Sequence, residues 1–235
     1  MALQIPRSLG ILNLERGMTT DANTPAPLRG SLMSSATFDL PIISETVIGA
    51  WADIVIPGAP ELEPACVAAA KRLVERGAVA ISSNCGYFIR HQAAVAAAVD
   101  VPVVTSSLLL LPALLRQLPA AAKLAVVVAQ PKHLSEDMLG IDDPAARARV
   151  VIGGIENSSL VRNENMRPPP RTDIAEIERD VVACTTQLRD SHPDIAVFLF
   201  ECTGMPLTAP AVRRITGLPV YDITTLCRMT LASVL

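Results

Sequence analysis

Two of the five cysteines stand where a chain can put a thiol to work. Cys85 closes the apolar run 78–81 inside Ser82-Ser83-Asn84-Cys85-Gly86-Tyr87-Phe88, and a helix-like segment follows. Cys202 closes the apolar run 195–200 inside Glu201-Cys202-Thr203-Gly204. An apolar run that opens into small polar residues outlines a buried strand ending in a turn, which is where α/β proteins hold ligands. A thiolate in such a turn is a base and a nucleophile. Gly86 and Gly204 permit close backbone approach to a bound group. Ser83, Asn84, Glu201 and Thr203 supply polar contacts around it. The same design at two places suggests a paired site, with coincidence as the competing reading.

The other three cysteines read differently. Cys66 shares the apolar face of a helix over 61–76 with Leu62, Ala69, Ala70, Leu73 and Val74, and Gly77 is its stop signal. Cys184 follows Val181 and Val182 on a helix over 172–190, and Cys227 lies in a terminal helix. All three are expected in the core. There is no C-x-x-C pair, the count is odd, and the three histidines are scattered. The expectation is reduced thiols without a disulfide framework or a metal site.

A third polar turn, Thr105-Ser106-Ser107, ends a short strand over 101–104 and precedes a helix over 108–117. Free N–H groups and the positive end of a helix dipole suit it to a carboxylate or phosphate. N-capping alone is the competing reading. Arg16 opens a long polar stretch, 16–40, with an ordinary solvated arginine as its plain reading. The stretch itself reads as a lid or binding loop, with a disordered insert as the alternative.

The elements that must position these residues alternate. Strands are predicted at 8–14, 53–57, 78–81, 101–104, 123–128, 150–152, 195–200 and 218–221. Helices are predicted at 61–76, 92–99, 108–117, 131–139 and 172–190, with another at the end and a polar loop over 163–171. Such alternation implies α/β architecture with parallel sheets and right-handed crossovers. The rough doubling of the pattern suggests two lobes whose cysteine turns share a cleft. The first takes residues 1–108 with 217–235 and carries Cys85; the second takes 109–216 and carries Cys202.

Composition narrows the partners. Half the residues are hydrophobic and only 3% aromatic, so the core is aliphatic and a disordered chain is excluded. A net charge of −3, with no polybasic run, offers no footprint for nucleic acid or an anionic membrane. The longest apolar region, 101–115, is broken by Pro102 and Pro112 and is too short to span a bilayer. Residues 1–7 lack the basic start and long apolar segment of a secretory signal, so a cytoplasmic protein is expected.

Taken in order, five stretches resemble the aspartate/glutamate racemase family over nearly the whole chain. They are Gly49-Ala50 after Phe38-Asp39-Leu40-Pro41, Ser83-Asn84-Cys85-Gly86-Tyr87-Phe88, Pro102-Val103-Val104-Thr105-Ser106-Ser107, Glu201-Cys202-Thr203-Gly204-Met205-Pro206 and Pro219-Val220-Tyr221-Asp222. The resemblance implies two Rossmann-like α/β lobes related by a pseudo-twofold axis, with the active site between them. It implies a cofactor-independent isomerase, a racemase or epimerase of an amino acid or related carboxylate. Cys85 and Cys202 would be its catalytic residues, one removing the α-proton and the other returning a proton to the opposite face. Ser83, Asn84, Gly86, Tyr87, Thr105, Ser106, Thr203, Gly204 and Arg16 would contact the substrate, and a homodimer is implied. The match departs from glutamate racemases at Gly86-Tyr87, where those have Asn-Thr, and at Gly204, where a histidine follows the second cysteine. Three alternatives stay open: a one-cysteine arylmalonate-type decarboxylase, a two-cysteine maleate-type cis–trans isomerase, and a catalytically silent carboxylate-binding protein. Glu201 is expected to orient Cys202, although a buried carboxylate beside a thiol raises the thiol's pKa.

Overall fold

Aliphatic runs long enough to be buried on both faces become the inner strands of two parallel sheets, as parallel sheets require. The structure, a computed structural model, describes residues 6–17 and 26–235. It contains two compact units, one running to Ser106 and taking in Leu226–Leu235, the other Ser107–Thr225.

In the first unit the strands are β1 (Ser8–Asn13), β2 (Ile42–Thr46), β3 (Ala78–Ser83) and β4 (Val103–Val104). They are all parallel, in the order β2-β1-β3-β4. In the second unit they are β5 (Lys123–Val128), β6 (Val150–Gly154), β7 (Ile195–Phe200) and β8 (Val220–Tyr221). These are also parallel, in the order β6-β5-β7-β8. Each unit therefore repeats one topology, with its cysteine-bearing strand second from one edge.

Each sheet seats a long helix. Glu63–Glu75 packs on β1, β2 and β3, and burial of Cys66, Ala69, Ala70 and Leu73 follows its 3.6-residue period. It lies so close that a Cβ on Gly10 of β1 would stand 3.2 Å from the Cβ of Leu73. Ile174–Ser191 packs on β5 and β6, its first turn capped by the Asp173 carboxylate accepting from the Ala175 N–H at 3.0 Å. Here Gly153 makes the room: a Cβ there would come within 2.8 Å of the Cys184 sulfur.

Several sequence expectations are corrected. Residues 53–57 are not a strand: Ala52–Val55 is one helical turn, with Val55 N–H bonded to Trp51 O and Ile56 N–H to Ala52 O. Ala52, Val55, Ile56 and Ala59 are buried while Asp53 and Ile54 are exposed, a helical spacing that outweighs the β-branched composition. The second strand is instead Ile42–Thr46, an edge strand of partly exposed residues. The helix expected over 131–139 is two separate 3-10 turns, Pro131–His133 and Glu136–Leu139. The one expected over 108–117 begins as a 3-10 turn, Ser107–Leu110, and becomes α-helical only at Leu111–Gln117. Within the expected loop 163–171 the first residues close a helix, Ser159–Glu164. Because β8 pairs with β7, residues 217–225 belong to the second unit, not to the first as expected. Of the stretch 16–40, positions 18–25 lie outside the described residues; Ser35–Phe38 forms a single helical turn. No helix among the described residues is long and apolar enough to cross a membrane.

Candidate active site

The first half-site is built at the carboxyl ends of β1, β3 and β4. Asn84 continues the pairing past β3, its N–H donating to Leu12 O at 3.0 Å. Its side-chain Oδ1 accepts from the Leu14 N–H at 2.8 Å, so the amide carries the ladder beyond the last backbone pair. Cys85 is extended (φ −145°, ψ 122°) and leads into the 3-10 helix Gly86–His91. Its side chain is buried, with 8% of the residue exposed.

The hydroxyls around Cys85 are committed to the protein. Ser83 is fully buried, and its Oγ lies 2.8 Å from Cys85 O and 2.6 Å from Thr105 O. Thr105 is bound through both N–H and Oγ1 to the Gln92 side-chain oxygen, at 2.9 and 2.7 Å. The Gln92 amide nitrogen in turn donates to Val103 O at 2.8 Å. Gln92 is thus a clamp on the β4 end that the sequence did not announce, since a glutamine opening a helix carries no motif. Ser106 is fully buried beside it. Gly86 is buried, and Tyr87 is 1% exposed, with the Arg90 guanidinium 6.0 Å from its ring centroid. Arg16 is half-buried three residues beyond β1.

The second half-site repeats the frame at the ends of β5 and β7. Glu201 N–H donates to Val127 O at 2.9 Å, and Glu201 Oε2 faces the Ala129 N–H at 3.4 Å. Cys202, Thr203 and Gly204 are half-buried, and Met205 N–H closes the turn on Cys202 O at 3.1 Å. Space at Gly204 is tight: a Cβ there would sit 3.0 Å from Leu160 Cδ2 and 3.7 Å from the Cys202 sulfur. Ser107 braces the strand from its own side, its Oγ donating to Phe200 O at 2.6 Å. That role was hidden in the sequence, where Ser107 read as part of the preceding turn.

Electrostatics marks two of the other thiols as inert. Burial, reinforced by Glu63, pushes the Cys66 thiol up to about 12. Burial and Glu156 push Cys184 up to about 11. Neither forms a thiolate at neutral pH. Glu201 is 1% exposed, and burial pushes its carboxyl up to about 7 against the smaller opposing effect of the Ala129 N–H. The group beside Cys202 is therefore largely an uncharged acid below neutrality, not the carboxylate that the sequence suggested. Ser83, Asn84, Cys85, Gly86, Tyr87, Thr105 and Ser106 lie at or just past the carboxyl ends of β3 and β4 in the first unit, and Arg16 just past that of β1. Cys202, Thr203 and Gly204 lie just past the carboxyl end of β7 in the second. Each unit offers a thiol in a frame of backbone hydrogen bonds.

No protein-family model matches the chain. The chain is 32% identical over 206 residues to a dimethylsulfoniopropionate lyase of Durusdinium sp. clade D, covering 83% of this chain and 67% of that protein. It is 30% identical over 188 residues to dimethylsulfoniopropionate lyase 7 of Emiliania huxleyi strain CCMP1516, covering 74% of this chain and 53% of that one. It thus spans two thirds of the first relative and about half of the second. Among solved structures, unliganded arylmalonate decarboxylase superposes with a TM-score of 0.59 at 19% identity, over 97% of this chain and 92% of the other. A glutamate racemase of Bacillus anthracis gives 0.61 at 14% identity, over 98% and 82%. The chain belongs to the dimethylsulfoniopropionate lyase family, an enzyme family built here on the fold of the aspartate/glutamate racemase superfamily.

Proposed function

We propose that this protein is a cofactor-independent lyase that removes the α-proton of a carboxylate and expels a leaving group from the β-carbon, with Cys85 and Cys202 acting on the same substrate. The observation that carries the reading is the repeated strand-end thiol frame in a chain 32% identical to a dimethylsulfoniopropionate lyase. That relative's name supplies the substrate class, a propionate whose β-carbon bears a sulfonium.

The chemistry follows from the thiol. A thiolate takes the hydrogen from the carbon next to the carboxylate. The C–H electron pair becomes the new carbon–carbon double bond, and the carbon–sulfur bond breaks with its pair on sulfur. The products are acrylate and neutral dimethyl sulfide, and the proton remains on the cysteine. Negative charge develops towards the substrate carboxylate during proton loss, so hydrogen-bond donors fixed around that group lower the barrier. The turns at 85–87 and 203–204 are the candidate donors, with Arg16 and Ser106 as candidate contacts. Ser83 and Thr105, whose hydroxyls hold the protein together, serve as walls.

The racemase reading shares the proton abstraction and differs in the fate of the carbanion. Without a leaving group, the second thiol reprotonates the carbon from the other face. The presence of two cysteines in equivalent frames favours keeping it as the second reading. One experiment separates them. Purified protein is given dimethylsulfoniopropionate, and separately a panel of amino acids in D2O, with dimethyl sulfide, acrylate and α-deuterium followed together. The lyase reading expects sulfide and acrylate in equal amounts, with a loss of roughly a thousandfold or more in Cys85→Ser or Cys202→Ser. Deuterium incorporation into an amino acid with no sulfide release would overturn it in favour of the racemase. Full activity in either serine variant would remove that cysteine from the reaction.

A further inference from the structure

Glu201 places a carboxyl group where its counterpart has an amide. Asn84 and Glu201 each precede a strand-end cysteine, and each donates its N–H to the neighbouring strand, at 3.0 and 2.9 Å. Each then presents a side-chain oxygen to the N–H two residues further along that strand, Leu14 at 2.8 Å and Ala129 at 3.4 Å. The remaining oxygen of Glu201, Oε1, is buried with no hydrogen-bond partner, in a residue 1% exposed. As a carboxylate, the group would be a buried charge with one long hydrogen bond. As an acid with its proton on Oε1, it is neutral and keeps the same acceptor, which makes it the analogue of the Asn84 amide.

The geometry points to Glu201 as a positioning residue for Cys202: the neutral acid holds the β7–Cys202 turn as Asn84 holds the β3–Cys85 turn, and ionisation keeps the Ala129 contact but sets an uncompensated buried charge next to Cys202 in the chain. The assignment deepens the lyase reading and rests on Cys202 belonging to the reacting pair. The groups shown against Glu201 are the Ala129 N–H, which donates to its carboxyl, and the Val127 carbonyl of β5, which accepts from its backbone N–H; Cys202 follows it in the chain. Among the described residues no charged side chain bears on its proton affinity; burial raises it and the Ala129 N–H lowers it. The transition consequently falls near neutrality, and a charge arriving there raises the pKa of the adjoining thiol.

Two readouts on the full chain test this, one of them independent of turnover. Alkylation of Cys202 by iodoacetamide is followed by peptide mass spectrometry from about pH 5.5 to about pH 9, where the thiolate is the reacting species. Sulfide release from dimethylsulfoniopropionate is followed over the same range. Glu201→Gln keeps the acceptor and cannot ionise. It is expected to alkylate about threefold faster than wild type at about pH 8, a shift of roughly half a pKa unit, and to match it at about pH 6. Its kcat/KM at about pH 6.5 is expected to stay within about threefold of wild type, whereas Glu201→Ala, which strips the Ala129 N–H of its acceptor, loses about tenfold or more. Superimposable alkylation profiles for wild type and Glu201→Gln would overturn the proposal, as would a Glu201→Gln protein as inactive as Glu201→Ala. If wild type releases no sulfide, the lyase reading fails while the alkylation arm still decides the role of Glu201.

Discussion

At the end of β3 an amide holds the neighbouring strand; at the end of β7 a carboxyl does the same work. The backbone partners correspond one for one, Leu12 with Val127 and Leu14 with Ala129. The hydrogen bonds differ, 2.8 Å to Asn84 and 3.4 Å to Glu201, and only the second side chain can change its charge. The comparison teaches that the frame around a strand-end cysteine needs an acceptor of a certain reach and no charge. An amide meets that need at every pH. A carboxyl meets it only while protonated, which gives one half of the molecule a pH response that the other half lacks.

The largest effect that would break this comparison is in stability. Below about pH 4.5 Glu201 is neutral in both folded and unfolded chains, and the fold carries no penalty. Between 4.5 and about 7 the unfolded chain ionises first while the folded one keeps its proton, so stability falls as pH rises. Above that range the loss is constant, about 3 kcal/mol for a shift of this size. Urea unfolding of wild type and Glu201→Gln at either end of the window should therefore diverge by that amount. Parallel curves would show that the carboxyl ionises without cost.

The amide side is tested next. Asn84→Ala leaves the Leu14 N–H without its acceptor and is expected to cost about 1–3 kcal/mol, read from the urea midpoint. Asn84→Asp keeps the acceptor and adds a titrating group. It should give Cys85 alkylation a pH dependence of the kind predicted for Cys202, and an unchanged profile would separate the two frames.

Two further effects are smaller. Gly204→Ala pushes a methyl against Leu160 and is expected to cost roughly 1 kcal/mol and to slow Cys202 alkylation, with Leu160→Ala restoring much of both in the double variant. The smallest effect belongs to the core thiols. Cys66 and Cys184 should stay unmodified by iodoacetamide in the native protein at about pH 8, and Cys66→Ala should keep turnover within about twofold.

Much of the scaffold was legible in the chain because its central strands are buried on both faces and advertise it. Residues 123–128 and 195–200 are read from apolar runs alone and coincide with β5 and β7. Ile42–Thr46 was missed because an edge strand has no such run, and the β-branched 53–57 misled because burial there follows a helical turn. The site was legible as two cysteines in polar turns. Its supports were not, since Gln92 on Thr105 and Ser107 on Phe200 are contacts across many residues with no local signature. The kinship of Asn84 and Glu201 was equally invisible. Their side chains differ, and only the shared register on the adjacent strand reveals one task.

The division of the chain has a consequence for how the protein is made. The unit that begins first also takes residues 226–235, whose Leu226, Cys227 and Leu231 are buried and whose Val234 carbonyl accepts from Arg7. The second unit is continuous and complete once Thr225 has emerged. During synthesis the later unit can close while the earlier one still waits for residues 226–235, whose Leu226, Cys227 and Leu231 its core lacks until then. The Cys85 half-site is thus started on the ribosome before the Cys202 half-site and finished after it.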